Sequence, residues 1–492
     1  MMTPRASVLS ALLPLLACCG GRANDAQDPG IEGTLVFARA DLHAVLDATA
    51  SGDIIVVTDD GSLLALDSSA AYAATFIGTF GGDLRHDLQI EIAGGAVLVW
   101  RDRGHDAWEL DAWSRALGLR QVATDLAPPT SDGVTSATLD GQRIVFATGG
   151  RFTNGVGSDL LYYGVTLTSA DVKPVQLARM PAGTNTVEIA VVGDRVILKR
   201  YRDAAINHDP SNRGWPQSEE PWKATLYDAT WQPIGGIAQR EDIVLGDSGL
   251  RVATEGADGE LAIVSLDGSP PISVDHDCRF AEAFFMPGDE DLVYTCRGAA
   301  NRFHVATGAL TALGDGMTGA YPLQCGDARC RDWVGGPGPS VVALGGGAPL
   351  AGPETDSYST PHGDIHGHLS PDGRFAIAAT DSGATAVVEV GHLDHRIVLD
   401  REARGVTWLD GARFVYVTTT ETNKYYEDAA SVVIWRDPSV AGTSASAERV
   451  ITRNVYSPFA RTSERALYAI AKRSDRPKGL YRFPLSGASA GP

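Results

Sequence analysis

A unit that recurs along the chain after residue 33 constrains the fold more than any other feature. Each unit has a polar turn, a short strand rich in Val, Ile, Phe and Tyr, a loop, and a second short apolar strand. Clear examples lie at residues 53–67, 142–150, 194–201, 250–268, 291–310, 373–391, 412–420 and 465–485. The apolar residues run continuously or alternate with period two, and no long segment keeps the 3.6-residue spacing of an amphipathic helix. The sequence therefore predicts an all-β chain with almost no helix after its N-terminal segment.

The spacing of these units predicts how they assemble. Their strands recur roughly every 40–55 residues, the period of the blades of a β-propeller. Open stacks of such blades expose two apolar faces, so we expect a closed ring in which residues 33–38 pair with residues 479–483. Counting strand pairs gives nine or ten, with the unit at residues 333–347 the least secure, whereas propellers have ~4–8 blades. We expect one propeller domain over residues 33–490 with about eight blades, in a range of roughly seven to ten.

Two segments resemble known propeller repeats. The segment LSPDGRFAIAATDSG (369–383) resembles the SPDG-type blade of TolB-type and WD-like propellers, in which Ser-Pro-Asp-Gly forms the turn between the two innermost strands. The segment TDDGSLLALD (58–67) resembles the outer hairpin of a quinoprotein-type propeller repeat. These resemblances imply a WD-like propeller body.

The N-terminus predicts export and lipid attachment. Residues 1–17 hold one positive charge, Arg5, followed by an apolar run that is too short to span a bilayer but suits a signal peptide. The run ends in Leu-Leu-Ala before Cys18, which resembles the bacterial lipobox and implies that Cys18 carries the lipid. An ordinary cleaved signal is the alternative, and Cys19 offers a second register. Residues 18–32 are expected to be a flexible tether, and Cys19 replaces the Asp that retains lipoproteins in the inner membrane, so the resemblance favours the outer membrane.

The net charge limits the class of binding partner, and the number of cysteines suggests disulfides. The formal net charge is −20, which counts against nucleic acid as the principal partner. Four cysteines, Cys278, Cys296, Cys325 and Cys330, follow the N-terminal pair, and an even number in an exported chain suggests two disulfides. We expect the pairs Cys278–Cys296 and Cys325–Cys330, the first because a hairpin would bring its two cysteines together. A zinc site is the competing interpretation.

Two further groups of residues are candidate sites. His362, His366 and His368 lie close together in sequence, and such imidazoles could bind Zn²⁺ or Mn²⁺ at the axis of the ring. Their segment resembles the histidine-rich lead-in of propeller polysaccharide lyases, although histidines that cap turns in a polar channel give the same pattern. The polar excursion at 203–222 carries Trp215 and Trp222 and is either a partner-binding loop or a surface insertion.

The sequence gives no strong indication of an enzyme. It has neither the HExxH motif of zinc proteases nor the GxxxxGK[ST] loop that binds phosphates. We therefore expect a non-catalytic, monomeric, protein-binding scaffold of the cell envelope that needs no cofactor. The alternative is an axial-metal polysaccharide lyase or glycan hydrolase built on the same propeller, with a divalent metal as its cofactor.

Overall fold

The computed structural model describes residues 33–485 apart from a set of loops, the longest of which are 201–221, 316–323, 352–369 and 420–430. Side chains in several strands between the loops are likewise outside the described part. The described residues form β-strands and two short 3₁₀ turns, Ser68–Ala70 and Pro287–Asp289, which confirms the prediction of an all-β chain. No helix in these ranges is long and apolar enough to cross a membrane.

The first strand in the chain, β1 (Thr34–Phe37), belongs to the last sheet. Four sheets then follow in chain order. Sheet 1 contains β2 (Leu42–Ala48), β3 (Asp53–Thr58), β4 (Ser62–Asp67) and β5 (Ala73–Thr79). Sheet 2 contains β6 (Leu88–Ala93), β7 (Ala96–Asp102), β8 (Trp108–Ser114) and β9 (Gly118–Leu126). Sheet 3 contains β10 (Thr135–Ala137), β11 (Arg143–Gly149), β14 (Leu160–Thr166) and β15 (Val175–Met180), with a separate hairpin of β12 (Phe152–Thr153) and β13 (Val156–Gly157). Sheet 4 contains β16 (Val187–Val192), β17 (Arg195–Arg200), β18 (Trp222–Tyr227) and β19 (Pro233–Arg240).

The second half of the chain continues the series. Sheet 5 contains β20 (Asp242–Leu245), β21 (Arg251–Glu255), β22 (Leu261–Ser265) and β23 (Ile272–Asp275). Sheet 6 contains β24 (Ala283–Phe285), β25 (Asp291–Cys296), β26 (Ala299–His304) and β27 (Ala309–Asp315). Sheet 7 contains β28 (Gln324–Cys325), β29 (Asp332–Val334), β30 (Ser340–Val342) and β31 (Leu350–Ala351), and sheet 8 contains β32 (Phe375–Ala379), β33 (Thr385–Glu389) and β34 (His392–Val398). Sheet 9 contains β35 (Arg404–Asp410), β36 (Arg413–Thr419), β37 (Ser431–Arg436) and the first half of β38 (Glu448–Arg461). Sheet 10 contains the second half of β38, β39 (Ala466–Ala471), β40 (Gly479–Pro484) and β1.

The strands of each sheet are antiparallel and follow chain order, with β1 as the exception. First strands of neighbouring sheets contact one another, as β6 does with β10, β10 with β16, β20 with β24, and β2 with β38. In these sheets the first strand therefore faces the centre of the ring and the last strand lies at its outer edge, which is the arrangement of a β-propeller. The described strands fall into ten groups, at the upper end of the expected range, while the number of blades stays a prediction because parts of the ring lie outside the described residues.

Apolar side chains fill the spaces between successive sheets. One cluster joins sheets 1 and 2, another joins sheets 2 and 3, and further clusters join sheets 5 and 6, 8 and 9, and 9 and 10. Between sheets 2 and 3, for example, Trp100 meets Phe146 edge to face, with 5.5 Å between the ring centroids. Such aromatic side chains bury large apolar areas. At each of these junctions one sheet thus covers the apolar face of its neighbour.

The predicted closure of the ring is confirmed. Strand β1 pairs antiparallel with β40, with Thr34 opposite Arg482, Leu35 opposite Tyr481 and Phe37 opposite Leu480. Gly479, with φ of 153°, lies where a Cβ atom would collide with the carbonyl oxygen of Phe37, so the two strands can meet only because this residue has no side chain. An apolar cluster of sheets 10 and 1 completes the contact.

Two segments that resemble known propeller repeats lie partly or wholly in the described residues. Residues 58–67 form the end of β3, the β3–β4 turn and β4, which belong to the middle pair of sheet 1, so the expectation of an outer hairpin was wrong. The turn expected at Ser370 is partly described: the Ser370 amide donates to the Phe375 carbonyl oxygen at 2.8 Å, and its Oγ accepts from the Phe375 amide at 3.0 Å. The same pattern joins the first and second strands of sheet 1, where the Thr49 amide donates to the Asp53 carbonyl oxygen at 2.9 Å.

Candidate functional site

Most residues that the sequence singled out lie outside the described part of the chain. These are Cys18, Trp215, Cys330, His362, His366 and His368. Trp222 is the first residue of β18 and Cys325 the last residue of β28, but neither side chain is described. The lipidation site, the partner-binding loop, the histidine metal site and the second disulfide therefore remain predictions.

The expected disulfide between Cys278 and Cys296 is present, with 5.5 Å between the Cα atoms. Cys296 ends β25 as expected, whereas Cys278 lies in the connection between β23 and β24 rather than at the start of a strand. Its amide donates to the Gly259 carbonyl oxygen at 2.7 Å, so this connection is also bonded to the β21–β22 turn of sheet 5. The disulfide thus fastens the passage from sheet 5 to sheet 6.

An acidic side chain accompanies this disulfide. The Asp275 carboxylate and the two sulfurs lie within 4.8 Å of one another, a spacing that would suit a metal ion if the sulfurs were thiolates. In the disulfide the sulfurs are bonded to each other, so the cysteines serve here as a crosslink. The Tyr294 hydroxyl donates to Asp275 Oδ2 at 3.1 Å, and burial together with the Asp275 charge raises the pKa of Tyr294 above its ordinary value.

Arginines at the start of the second strand of a sheet contact the neighbouring sheet. In sheet 3 the Arg143 guanidinium lies over the Trp231 ring of sheet 4, 4.6 Å from its centroid, and donates to the Asp228 carbonyl oxygen at 2.9 Å. Arg251 of sheet 5 donates to the Asp289 carbonyl oxygen of sheet 6 at 2.6 Å. Each arginine is the first residue of the second strand of its sheet. These arginines therefore join sheet 3 to sheet 4 and sheet 5 to sheet 6.

Sheets 1 and 2 are also joined by an arginine, but here it lies in the second of the two sheets and donates to side chains of the first. Arg115 donates to Asp53 at 3.0 Å and to Asp67 at 2.6 Å. Hydrogen bonds from Ser69 and from Arg115 lower the pKa of Asp67 to about 2. The carboxylate therefore stays charged at every physiological pH.

Exposed apolar side chains mark a different part of the molecule. Among the described residues, each large apolar side chain that is strongly exposed lies on the last strand of its sheet, at the outer rim of the ring. They are Phe76 on β5, Leu119 on β9, Val175 on β15, Ile234 on β19, Leu310 on β27 and Val398 on β34. These side chains are available for contact with another molecule at the outer rim. Sequence inspection missed these residues because the outward direction of a side chain depends on which strand is outermost.

The chain was compared with known proteins. No protein-family model matches it, and no curated protein matches it in sequence. Among solved structures it is similar to one described as the crystal structure of the eukaryotic initiation factor, with 10% identity over 82% of this chain and 87% of that chain and a TM-score of 0.39. It is also similar to the WD40 domain of SCAP from fission yeast, with 8% identity over 93% of this chain and 99% of that chain and a TM-score of 0.34. The β-propeller domain of Cps50 (Swd1) from Myceliophteria thermophila shows 11% identity over 56% of this chain and 87% of that chain, with a TM-score of 0.26. Such likeness concerns the fold alone.

Proposed function

We propose that this chain is a TolB-type β-propeller lipoprotein of the bacterial cell envelope that acts as a non-catalytic scaffold and binds a protein partner at its outer rim. The observation that carries the proposal is the placement of the exposed apolar side chains on outermost strands. Propellers of this kind present side chains from successive sheets around one rim, and a partner can contact several of them at once.

The anchor is proposed from the sequence around Cys18. Lipid chains attached there would hold the body at a membrane surface, because each buried CH₂ contributes ~0.8 kcal/mol. Strand β1 begins at Thr34 and is the outermost strand of sheet 10, so a tether over residues 18–32 would leave the ring at its rim. This arrangement is compatible with a partner embedded in or attached to the same membrane. The outer membrane is favoured over the inner membrane, because Cys19 stands where inner-membrane lipoproteins have Asp.

Fractionation tests the anchor. The Cys18→Ser variant should leave the membrane fraction and lose the mass of the lipid, whereas Cys19→Ser should remain lipidated and membrane-bound. Cys19→Asp should shift the protein from outer-membrane to inner-membrane fractions. If Cys18→Ser stays in the membrane with an unchanged lipid mass, the anchor proposal fails.

Crosslinking tests the scaffold. A photoreactive amino acid placed in turn at positions 76, 119, 234 and 310 should crosslink a protein partner in intact cells from at least one rim position. The matched control is the same amino acid at position 269, an exposed residue in the polar β22–β23 turn. Absence of a specific adduct from every rim position would contradict the scaffold function.

A further inference from the structure

We propose that the outer edge of β5 binds an extended segment of the protein partner, which adds to sheet 1 as a further strand with a basic residue near the Thr79 end. This inference rests on the proposed scaffold function and identifies the part of the rim that carries it. Addition of a strand to a free sheet edge is a common mode of peptide recognition, in which backbone hydrogen bonds supply affinity and alternate side chains supply specificity.

Strand β5 offers a long free edge. It has seven residues and pairs with β4 along one side. Among the described residues no strand pairs with its other side, so a row of backbone N–H and C=O groups is available there. Exposed edges of this length invite pairing with another chain.

The composition of β5 differs from that of the other outermost strands. Residues 68–82, which include all of β5, contain no charged residue, although charged residues make up 21% of the chain. Most other outermost strands carry the charges or proline that protect an edge. These residues are Arg120 and Asp125 on β9, Arg179 on β15, Pro233 and Arg240 on β19, Asp275 on β23, Asp315 on β27, Asp394 and Arg396 on β34, and Glu448 and Arg449 on the first half of β38. The outermost strands without such residues, β1 and β31, are shorter, with four and two residues. The edge of β5 is therefore both long and unprotected.

The side chains of β5 give this edge an apolar contact. Phe76 is 61% exposed, whereas its neighbour Ile77 is 5% exposed and packs between sheets 1 and 2. Ala73, Ala74 and Thr75 are also exposed and small, so they leave room for the side chains of an added strand. An apolar residue of the partner beside Phe76 would cover a ring that is otherwise in water.

The charge near the Thr79 end of β5 favours a basic partner segment. The β3–β4 turn lies beside the end of β5, because the Phe80 amide donates to the Gly61 carbonyl oxygen at 3.2 Å. That turn carries two exposed carboxylates, Asp59 and Asp60, of which Asp59 also lies 3.3 Å from His43 Nδ1 on β2. Hydrogen bonds from Thr58 and Ser62 lower the pKa of Asp60, which keeps it charged. A basic residue of the partner would meet these carboxylates, while a second copy of this chain, with its net charge of −20, would be repelled.

Synthetic peptides test the inference on the purified full chain. The probes are ten-residue peptides of alternating Val and Thr that end in two Lys, in no charge or in two Glu, plus a fourth with a central Pro. We expect the Lys peptide to bind most tightly and to slow hydrogen exchange of the amides at residues 73–79. The Glu peptide should bind at least about tenfold more weakly, and the Pro peptide should not bind.

Two matched variants localise the binding. Phe76→Lys adds a charge to the proposed edge and should weaken the Lys peptide at least about tenfold. Ser269→Lys adds the same charge at an exposed residue of the β22–β23 turn, outside the outermost strands, and should leave binding unchanged. Equal effects of the two variants, equal binding of the Lys and Glu peptides, protection of amides elsewhere, or self-association through β5 would each overturn the inference. If rim crosslinking still captures a partner from positions other than 76, the scaffold function stands and the assignment to β5 alone fails.

Discussion

The closing seam, between sheets 10 and 1, differs from the internal seam between sheets 5 and 6 in how its sheets are held together. At the internal seam a disulfide joins residues 18 positions apart, and the Tyr294 hydroxyl of sheet 6 donates to Asp275 of sheet 5. At the closing seam the contacts are non-covalent and join the two ends of the chain. There the Tyr468 hydroxyl of sheet 10 lies 3.0 Å from that of Tyr72 in sheet 1.

A charged network reinforces the closing seam. Ser68 Oγ of sheet 1 donates to Glu464 of sheet 10 at 3.0 Å, and Arg461 of sheet 10 donates to the Gly52 carbonyl oxygen of sheet 1 at 3.1 Å. The comparison indicates that contacts between distant parts of the chain close the ring, whereas a covalent bond secures a passage that is already short in sequence. Loss of the closing seam should therefore cost more than loss of the disulfide.

The largest effect is expected from Tyr468, which is fully buried on β39. Tyr468→Ala should lower the free energy of unfolding by about 3–5 kcal/mol because it leaves a cavity between sheets 10 and 1. Tyr468→Phe keeps the ring and removes only the hydroxyl contacts, so it should cost about 1 kcal/mol. Urea unfolding followed by tryptophan fluorescence measures both, and similar losses for the two variants would show that packing does not dominate this seam.

Removal of the Cys278–Cys296 disulfide should have the next largest effect. The double variant Cys278→Ser, Cys296→Ser should lose about 3 kcal/mol, because the unfolded chain is no longer restricted. The matched control is Cys325→Ser with Cys330→Ser. A reductant should destabilise that control by about 3 kcal/mol, and it should destabilise the Cys278/Cys296 variant only by the smaller contribution of the predicted Cys325–Cys330 bond. If the reductant destabilised the Cys278/Cys296 variant more than the Cys325/Cys330 control, this assignment would be contradicted.

Acid should weaken contacts within sheet 6 and between sheets 1 and 2 through carboxylates of lowered pKa. Burial opposes the charge of Asp291, but hydrogen bonds from Arg302 at 2.7 Å and His304 at 2.9 Å outweigh it and lower the pKa. A folded pKa below the unfolded value of about 3.9 means that the stabilisation is complete above that value and is lost as the pH falls toward the folded pKa. Asp67, with a pKa of about 2, adds a second contribution that is lost between about pH 4 and pH 2.

The Asp291→Asn variant removes the contribution of the Asp291 charge and leaves that of Asp67. It should be less stable than the unaltered protein at pH 7, by about 1–2 kcal/mol, and the difference should shrink at pH 3. Thermal unfolding at several pH values measures it. A difference that is constant from pH 7 to pH 3 would mean that the charge of Asp291 contributes nothing.

The smallest effect is expected at Arg115, which bridges sheets 1 and 2 but is 43% exposed. Arg115→Ala should cost less than about 1 kcal/mol, and the cost should fall further at high salt, because exposed ion pairs are screened. Unfolding at low and high ionic strength measures both values. A cost above that of the disulfide would show that ionic contacts between sheets matter more than the comparison of the seams indicates.

The sequence predicts the parts of this fold that depend on local pattern or on the two chain ends. Alternating apolar runs between polar turns predict the strands, and the need to cover apolar faces predicts the pairing of β1 with β40, which the structure confirms. The Cys278–Cys296 bond follows because a short hairpin separates the two cysteines. In each case the determining contacts are either close in sequence or forced by closure.

The features that the sequence did not reveal depend on contacts between sheets. Arg143 and Arg251 each begin a second strand, and an arginine recurs there in Gln-Arg-Ile, Leu-Arg-Val and Ala-Arg-Phe, yet only the packing of neighbouring sheets gives the residue its partner. The adjacent pair Phe76 and Ile77 must point to opposite faces of a strand, but which one is exposed depends on β5 being outermost. The expectation for residues 58–67 was wrong for a related reason, since a hairpin pattern does not specify its place within a sheet.

The pairing of β1 with β40 has a consequence for synthesis. The ribosome makes β1 before all the strands from β2 to β40, so β1 stays unpaired in the nascent chain until β40 has been translated. During that interval Leu35 and Phe37 lack the β40 residues with which they pair, and an incomplete chain cannot form the finished ring. Chaperone capture or misassembly should therefore concentrate on nascent chains that lack their final strand, and truncation at the C-terminus should be more harmful than the small number of removed residues indicates.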